Sequence, residues 1–200
     1  MDQLNKIFTK HVDEGRFPGV QWQINIKDET YSGNVGYNNI ETKEPVLDNT
    51  IYRIWSMTKP VVAVAALQLL EQNRIKLEDL VTKYLPEFSN LKVLKKEHSS
   101  IDDVEDLKNN PTIKDLFLHT AGFSYNFLAD PIGKQYDEIK LFHSDTTTLE
   151  EEIRKLAELP LLNQPKTKWV YSVSMDVLGR VLEVLLNDTL QNILQKNIFD

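Results

Sequence analysis

The sequence predicts an α+β fold, an antiparallel sheet flanked by helices and carrying a helical insertion. Three observations predict it. Val20–Lys27 alternates strictly between apolar and polar, and Tyr31, Gly33, Val35 and Tyr37 continue the period beyond a turn at Asp28-Glu29, so residues 20–37 read as an antiparallel hairpin. Val61–Leu70 is apolar almost all round, interrupted by Gln68, which marks a helix buried in a protein's middle. The stretch from 76 to 170 lacks strand alternation and is rich in short helical patterns and loops. The boundaries expected are 1–75 for the first part of the α/β domain, 76–170 for the insertion, and 171–200 for helices returning to the α/β domain.

The remaining elements follow from local chemistry. Leu4, Ile7, Phe8 and Val12 have helical spacing over residues 3–14, and Gly15 ends them. Residues 38–49 read as loop and Ile51–Ile54 as a short strand. Leu77–Leu85 is a short amphipathic segment stopped by Pro86. Residues 89–110 are polar and charged, a surface excursion closed by Asn109-Asn110-Pro111. Thr112 and Asp115 make a capping-box start, with Asp in the place of Glu, for a helix that ends at Gly122. Residues 123–147 show no period. Thr148 and Glu151 form a second capping box and open a helix to Leu159, ahead of Pro160. Ser174 caps a helix through Leu185, and Thr189 starts the last one.

Composition narrows the function classes. Of 200 residues, 41% are hydrophobic and 26% charged, an ordinary globular balance. A net charge of −7 disfavours nucleic acid or anionic lipid as the main partner. The chain has no cysteine, hence no disulfide and no thiolate nucleophile. Its start lacks the basic-then-apolar pattern of a signal peptide, and its longest apolar run is too short to span a bilayer. The expectation is a cytoplasmic protein without membrane insertion, acting on a small molecule. His11, His98, His119 and His143 have no metal-like spacing, so neither a metal nor another cofactor is expected. Oligomeric state stays open.

The chemistry concentrates at Ser56-Met57-Thr58-Lys59-Pro60. Three residues apart, Ser56 and Lys59 project from one helix face a turn apart. A hydroxyl at a helix N-terminus sits where developing negative charge is favoured, and serine needs an activating neighbour to become a nucleophile. Pro60 lies in the first turn, where its missing N–H costs little. The same spacing recurs at Ser89 and Lys92, in a polar stretch that is expected to bury nothing. The competing reading of Ser56 is a plain helix cap with Lys59 as a solvated cation.

Two further stretches stand in order behind the first: Leu118-His119-Thr120-Ala121-Gly122, and Trp169-Val170-Tyr171-Ser172-Val173 followed by Asp176-Val177-Leu178-Gly179-Arg180. With Ser56–Pro60 they resemble the serine β-lactamase-related family, which holds class C β-lactamases, penicillin-binding D-alanyl-D-alanine peptidases and carboxylesterases, and they resemble its esterase branch most. The resemblance implies a β-lactamase/DD-peptidase-like fold and an acyl-enzyme mechanism on an ester, amide or β-lactam. It implies Ser56 as nucleophile, with Lys59 and Tyr171 sharing the proton work. A tyrosine with an ordinary pKa of about 10 is a weak base at neutral pH unless a cation helps it. Trp55 would line the acyl pocket. Val173 stands where class C enzymes carry an asparagine that binds the substrate amide, which implies a preference for esters over β-lactams. The family continues past the equivalent of Asp200 into strands that include one bearing Lys-Thr-Gly or His-x-Gly and the second oxyanion donor, so C-terminal strands are expected to be missing. Lys166-Thr167-Lys168 lacks that glycine and reads as loop. His119 reads as structural, Glu150-Glu151-Glu152 as a solvated first turn. The alternative is a non-catalytic binding module or an inactive fragment.

Overall fold

The computed structural model describes residues 2–143 and 146–200. Its backbone falls into two compact units, Met1–Ile54 and Trp55–Asp200.

The first unit is a helix and a small sheet. Helix α1 (Asp2–Asp13) is followed by β1 (Gly19–Ile26), β2 (Glu29–Asn39) and the two-residue β3 (Glu44–Pro45), antiparallel in the order β1-β2-β3. Ile26 pairs with Glu29, so the turn is Lys27-Asp28, one residue earlier than the sequence suggests, and Lys27 takes φ 54° to close it. Glu29 belongs to the ladder because the period of two runs unbroken to the turn. Trp22 lies opposite Gly33, where a Cβ would come within 2.7 Å of the indole, and its Nε1 donates to Asn5 Oδ1 of α1 at 2.9 Å. Glycine is thus required at 33 for the buried tryptophan to fasten the helix to the sheet. Ile51–Ile54 is extended and exposed but joins no ladder among the described residues. The strand expected there does not form.

The second unit is mostly helical. A single 3₁₀ turn (Trp55–Met57) leads into α2 (Thr58–Glu71); the hairpin β4 (Lys92–Leu94) and β5 (Val104–Asp106) follows, then α3 (Ile113–Phe117), α4 (Pro131–Glu138), α5 (Leu149–Ala157), α6 (Ser174–Leu186) and α7 (Leu190–Leu194). Helix α6 is the hub: α2, α3, α5 and α7 all pack on it, and its Val177, Leu178, Val181 and Leu182 are wholly buried. Helix α2 is less central than its composition suggests. Val62, Ala65, Ala66 and Leu69 are buried, whereas Val64 and Leu67 on the other face stay about half exposed.

Both capping boxes form, Thr112 with Asp115 and Thr148 with Glu151. The 89–110 stretch is not merely surface. Leu91, Val93 and Leu94 are buried, and β4 and β5 pair antiparallel, since three apolar residues suffice to anchor a hairpin whose outer side is charged. Glu152 is also buried, its carboxylate accepting from the Phe142 N–H and from Lys155, each at 2.6 Å, so only part of the glutamate run is solvated. Helix α4, unseen in the sequence pattern, starts on an Asp130 cap with Pro131 at its first position. Among the described residues no helix is long and apolar enough to cross a membrane.

Candidate active site

The packing of α2 on α6 brings the N-termini of both helices to one place. Ser56 does not cap α2. It sits in the preceding 3₁₀ turn, Met57 occupies the cap position, and no side chain bonds the helix's free N–H groups there. Trp55 reaches this turn through a left-handed backbone, φ 47°. The cap reading therefore fails, and the hydroxyl points to other partners: Tyr171 OH hydrogen-bonds Ser56 Oγ at 2.7 Å, and Lys59 Nζ donates to the same oxygen at 3.4 Å. Ser89, by contrast, donates to the Pro86 carbonyl at 2.6 Å, and Lys92 pairs with Asp106.

A second tyrosine, not singled out by the sequence, completes the cluster. Lys59 Nζ also donates to Tyr125 OH at 3.4 Å and lies 4.9 Å from the Tyr171 ring centre and 5.1 Å from that of Tyr125. The two rings stack at 5.6 Å with planes 8° apart. Tyr125 is aimed by the turn that ends α3. Gly122 there has φ 95°, and a Cβ on it would stand 2.2 Å from the Asn163 carbonyl oxygen. Phe123 and Ser124 are then buried, with Ser124 Oγ on Asp130 at 2.6 Å and the Val173 N–H on the Ser124 carbonyl at 3.2 Å. The signal for Tyr125 was its position three residues past Gly122, at the end of a stretch already marked.

Charge at the site is unevenly held. Burial works to strip Lys59 of its proton, but polar contacts with Tyr171 and Tyr125 and the charge of Asp176 outweigh it, keeping the ammonium above the ordinary lysine value. Burial, aided by Asp176 and opposed by Lys59, pushes the Tyr125 phenol up, so this tyrosine stays protonated. Burial and the Lys59 charge hold His119 below the ordinary histidine value and hence neutral. Asp176, in the first turn of α6, is pushed up to about 6 by burial, with Lys59 pulling the other way.

This last shift has a testable sign. A carboxyl whose folded pKa exceeds its unfolded one costs stability above the folded pKa, and the cost fades as pH falls through it. Asp176→Asn is therefore expected to raise the unfolding free energy at about pH 8 by on the order of 2 kcal/mol, the gain vanishing near about pH 4. Thermal melts of both proteins at the two pH values check it.

A cavity of about 240 Å³ opens beside Ser56, walled by Trp55, Tyr125, Phe127, Phe142 and Val173, with Asn126 and His143 also in its lining. Trp55 is 76% exposed at the rim, while Val173 is 2% exposed and presents no hydrogen-bonding side-chain atom to the space. The structure thus brings together Ser56, Lys59, Tyr171, Trp55 and Val173, and adds Tyr125. His119 meets Ser172 rather than an acid, and Lys166–Lys168 lies in a turn.

Known proteins resemble this chain in sequence and in fold. Esterase EstB of Burkholderia gladioli is 33% identical over 187 residues, covering 90% of this chain and 44% of that protein. Lovastatin esterase of Penicillium rubens is 32% identical over 161 residues, covering 80% of this chain and 39% of that protein. Among solved structures, EstCE1, a hydrolase with promiscuous acyltransferase activity, superposes with a TM-score of 0.79 at 28% identity, over 98% of this chain and 50% of that one. The chain spans half or less of the length of each. The Beta-lactamase family model matches residues 4–200, and on that match the chain belongs to the Beta-lactamase family.

Proposed function

We propose that this chain carries the nucleophile, base and cation of a serine hydrolase that acts on carboxylic esters through a covalent Ser56 ester. The observation that carries the reading is the contact set on one oxygen, Ser56 Oγ, with Tyr171 OH at 2.7 Å and Lys59 Nζ at 3.4 Å. Ser56 attacks the ester carbonyl carbon while its proton passes to the Tyr171 oxygen, a transfer that requires that oxygen to be free of its own proton. The Lys59 ammonium offsets the negative charge shared by these oxygens, and Tyr171 returns the proton to the departing alkoxide. Water, or an alcohol as acyl acceptor, then releases the acyl group by the same route reversed. Relatives named as esterases support the ester as substrate.

The cavity supports a modest apolar group beside Ser56. At about 240 Å³ it exceeds the roughly 150 Å³ known to hold a benzene ring, so a short acyl chain or single ring fits. Val173, offering no amide hydrogen bond, favours esters over β-lactams. A fluorophosphonate probe, followed by peptide mapping, tests the reading. The adduct is expected on the Ser56 peptide and not on that of Ser89, with p-nitrophenyl butyrate turned over faster than nitrocefin. A folded sample that takes up no probe overturns the hydrolase; faster nitrocefin turnover overturns the ester preference.

A further inference from the structure

Tyr171 belongs to no helix or strand. Its place 2.7 Å from Ser56 Oγ is therefore not set by a ladder, and the question is what sets it. Three backbone donors anchor residues 170–173, and two of them end on His119. The Val170 N–H donates to the His119 carbonyl at 3.0 Å, the Ser172 N–H donates to His119 Nδ1 at 3.2 Å, and the third, from Val173, goes to Ser124. Ser172 Oγ lies 3.2 Å from the same Nδ1 and 2.8 Å from Ser174 Oγ, which extends the grip to the start of α6. The imidazole also packs on the two rings that flank Val170, 5.1 Å from Tyr171 and 6.2 Å from Trp169.

His119 is itself firmly held. It follows α3 with φ 54°, a left-handed conformation that histidine tolerates better than most residues, and the next residue ties back to α3 through Thr120 N–H on the Asp115 carbonyl at 2.9 Å and Thr120 Oγ1 on Asp115 Oδ1 at 3.0 Å. A backbone N–H only donates, so Nδ1 must be an acceptor and the ring proton must sit on Nε2.

We propose that His119 is a positioning residue: through an accepting Nδ1 on the Ser172 N–H and its ring on Tyr171, it fixes the Tyr171 hydroxyl at hydrogen-bonding distance from Ser56. The role rests on the hydrolase reading above. It makes no contact with substrate and acts entirely through the segment it clasps.

The experiment compares His119→Ala, His119→Asn and His119→Gln. Asn places an acceptor oxygen near the Nδ1 position, Gln near that of Nε2, and Ala none. With a fluorophosphonate probe and folded protein well below its melt, the limiting rate of Ser56 capture is expected to fall about 10–10²-fold in Ala and Gln with little change in half-saturating probe, the size of loss that a misplacement of about 1 Å brings. Asn is expected to recover most of it. A merely structural histidine would show its effect in the melting temperature, with equal capture rates for all folded variants, and that outcome overturns the proposal; so does equality of Asn and Gln. Amide hydrogen exchange at Ser172 gives a readout that needs no catalysis: protection kept in Asn and lost in Ala and Gln supports the clasp, and protection kept in all three overturns it. If the wild type takes no probe while Ser172 exchange follows the expected order, the hydrolase reading fails and the clasp stands.

Discussion

Tyr171→Phe is expected to slow covalent capture of Ser56 by about 10²–10⁴-fold, the usual worth of a positioned general base. The substitution is a narrow one. The ring stays, and with it the stack on Tyr125 at 5.6 Å and the contact with His119 at 5.1 Å. What goes is the single oxygen 2.7 Å from Ser56 Oγ. Tyr125 OH shares the Lys59 ammonium, and burial keeps it a phenol. Stopped-flow release of p-nitrophenol, or the rate of probe labelling, measures the effect at matched pH. A loss under tenfold would assign the proton transfer elsewhere.

The parts of this site that were legible in the sequence are those whose chemistry is local or whose residue types are unusual together. Thr112 with Asp115 and Thr148 with Glu151 are caps built within four residues, so short-range rules suffice for them. The hairpin from Gly19 to Asn39 is legible because Val20, Trp22, Ile24 and Ile26 alternate with polar residues, although of these four only Trp22 is buried. Ser56, Lys59 and Tyr171 are legible as an ordered set of motifs, although nothing in their spacing says that residues 115 apart share a hydrogen bond.

What escaped is instructive in physical terms. Tyr125 and α4 lie in a stretch held by side-chain contacts rather than periodicity: Ser124 on Asp130, and Asp130 on the Gly133 N–H. Glu152 stands in a run of three glutamates that reads as solvent-facing, and only the fold reveals that Phe142 and Lys155 satisfy it inside. Helix α2 shows the opposite failure. Its apolar composition called for burial on every side, yet Val64 and Leu67 face outward, because composition records what a helix can bury and not which neighbours it has.

Lys59→Met is the second large effect, expected to slow Ser56 capture by about 10²–10³-fold, as removal of one preorganised electrostatic group does. Methionine keeps an unbranched apolar stem of similar reach, so the loss reports the charge. The ammonium donates to Ser56 Oγ, on which negative charge develops, and to the neutral Tyr125 OH, each at 3.4 Å, and lies 4.9 Å from the Tyr171 ring centre. Arginine is not expected to rescue it, since a planar fork does not fit a point-charge site of this size. Two roles for Lys59 then separate by pH. As a neutral base it would contribute more as pH rises, and the ratio of wild-type to Lys59→Met rates would grow toward and beyond the ordinary lysine pKa of about 10.4. As a cation it contributes most where it is charged. The contacts that raise its pKa keep that charge through and above the ordinary lysine range, so the ratio should stay flat across neutral and mildly alkaline pH and shrink only past that range. A ratio that climbs with pH would transfer the proton from Tyr171 to Lys59 and leave the tyrosine as its orienting partner.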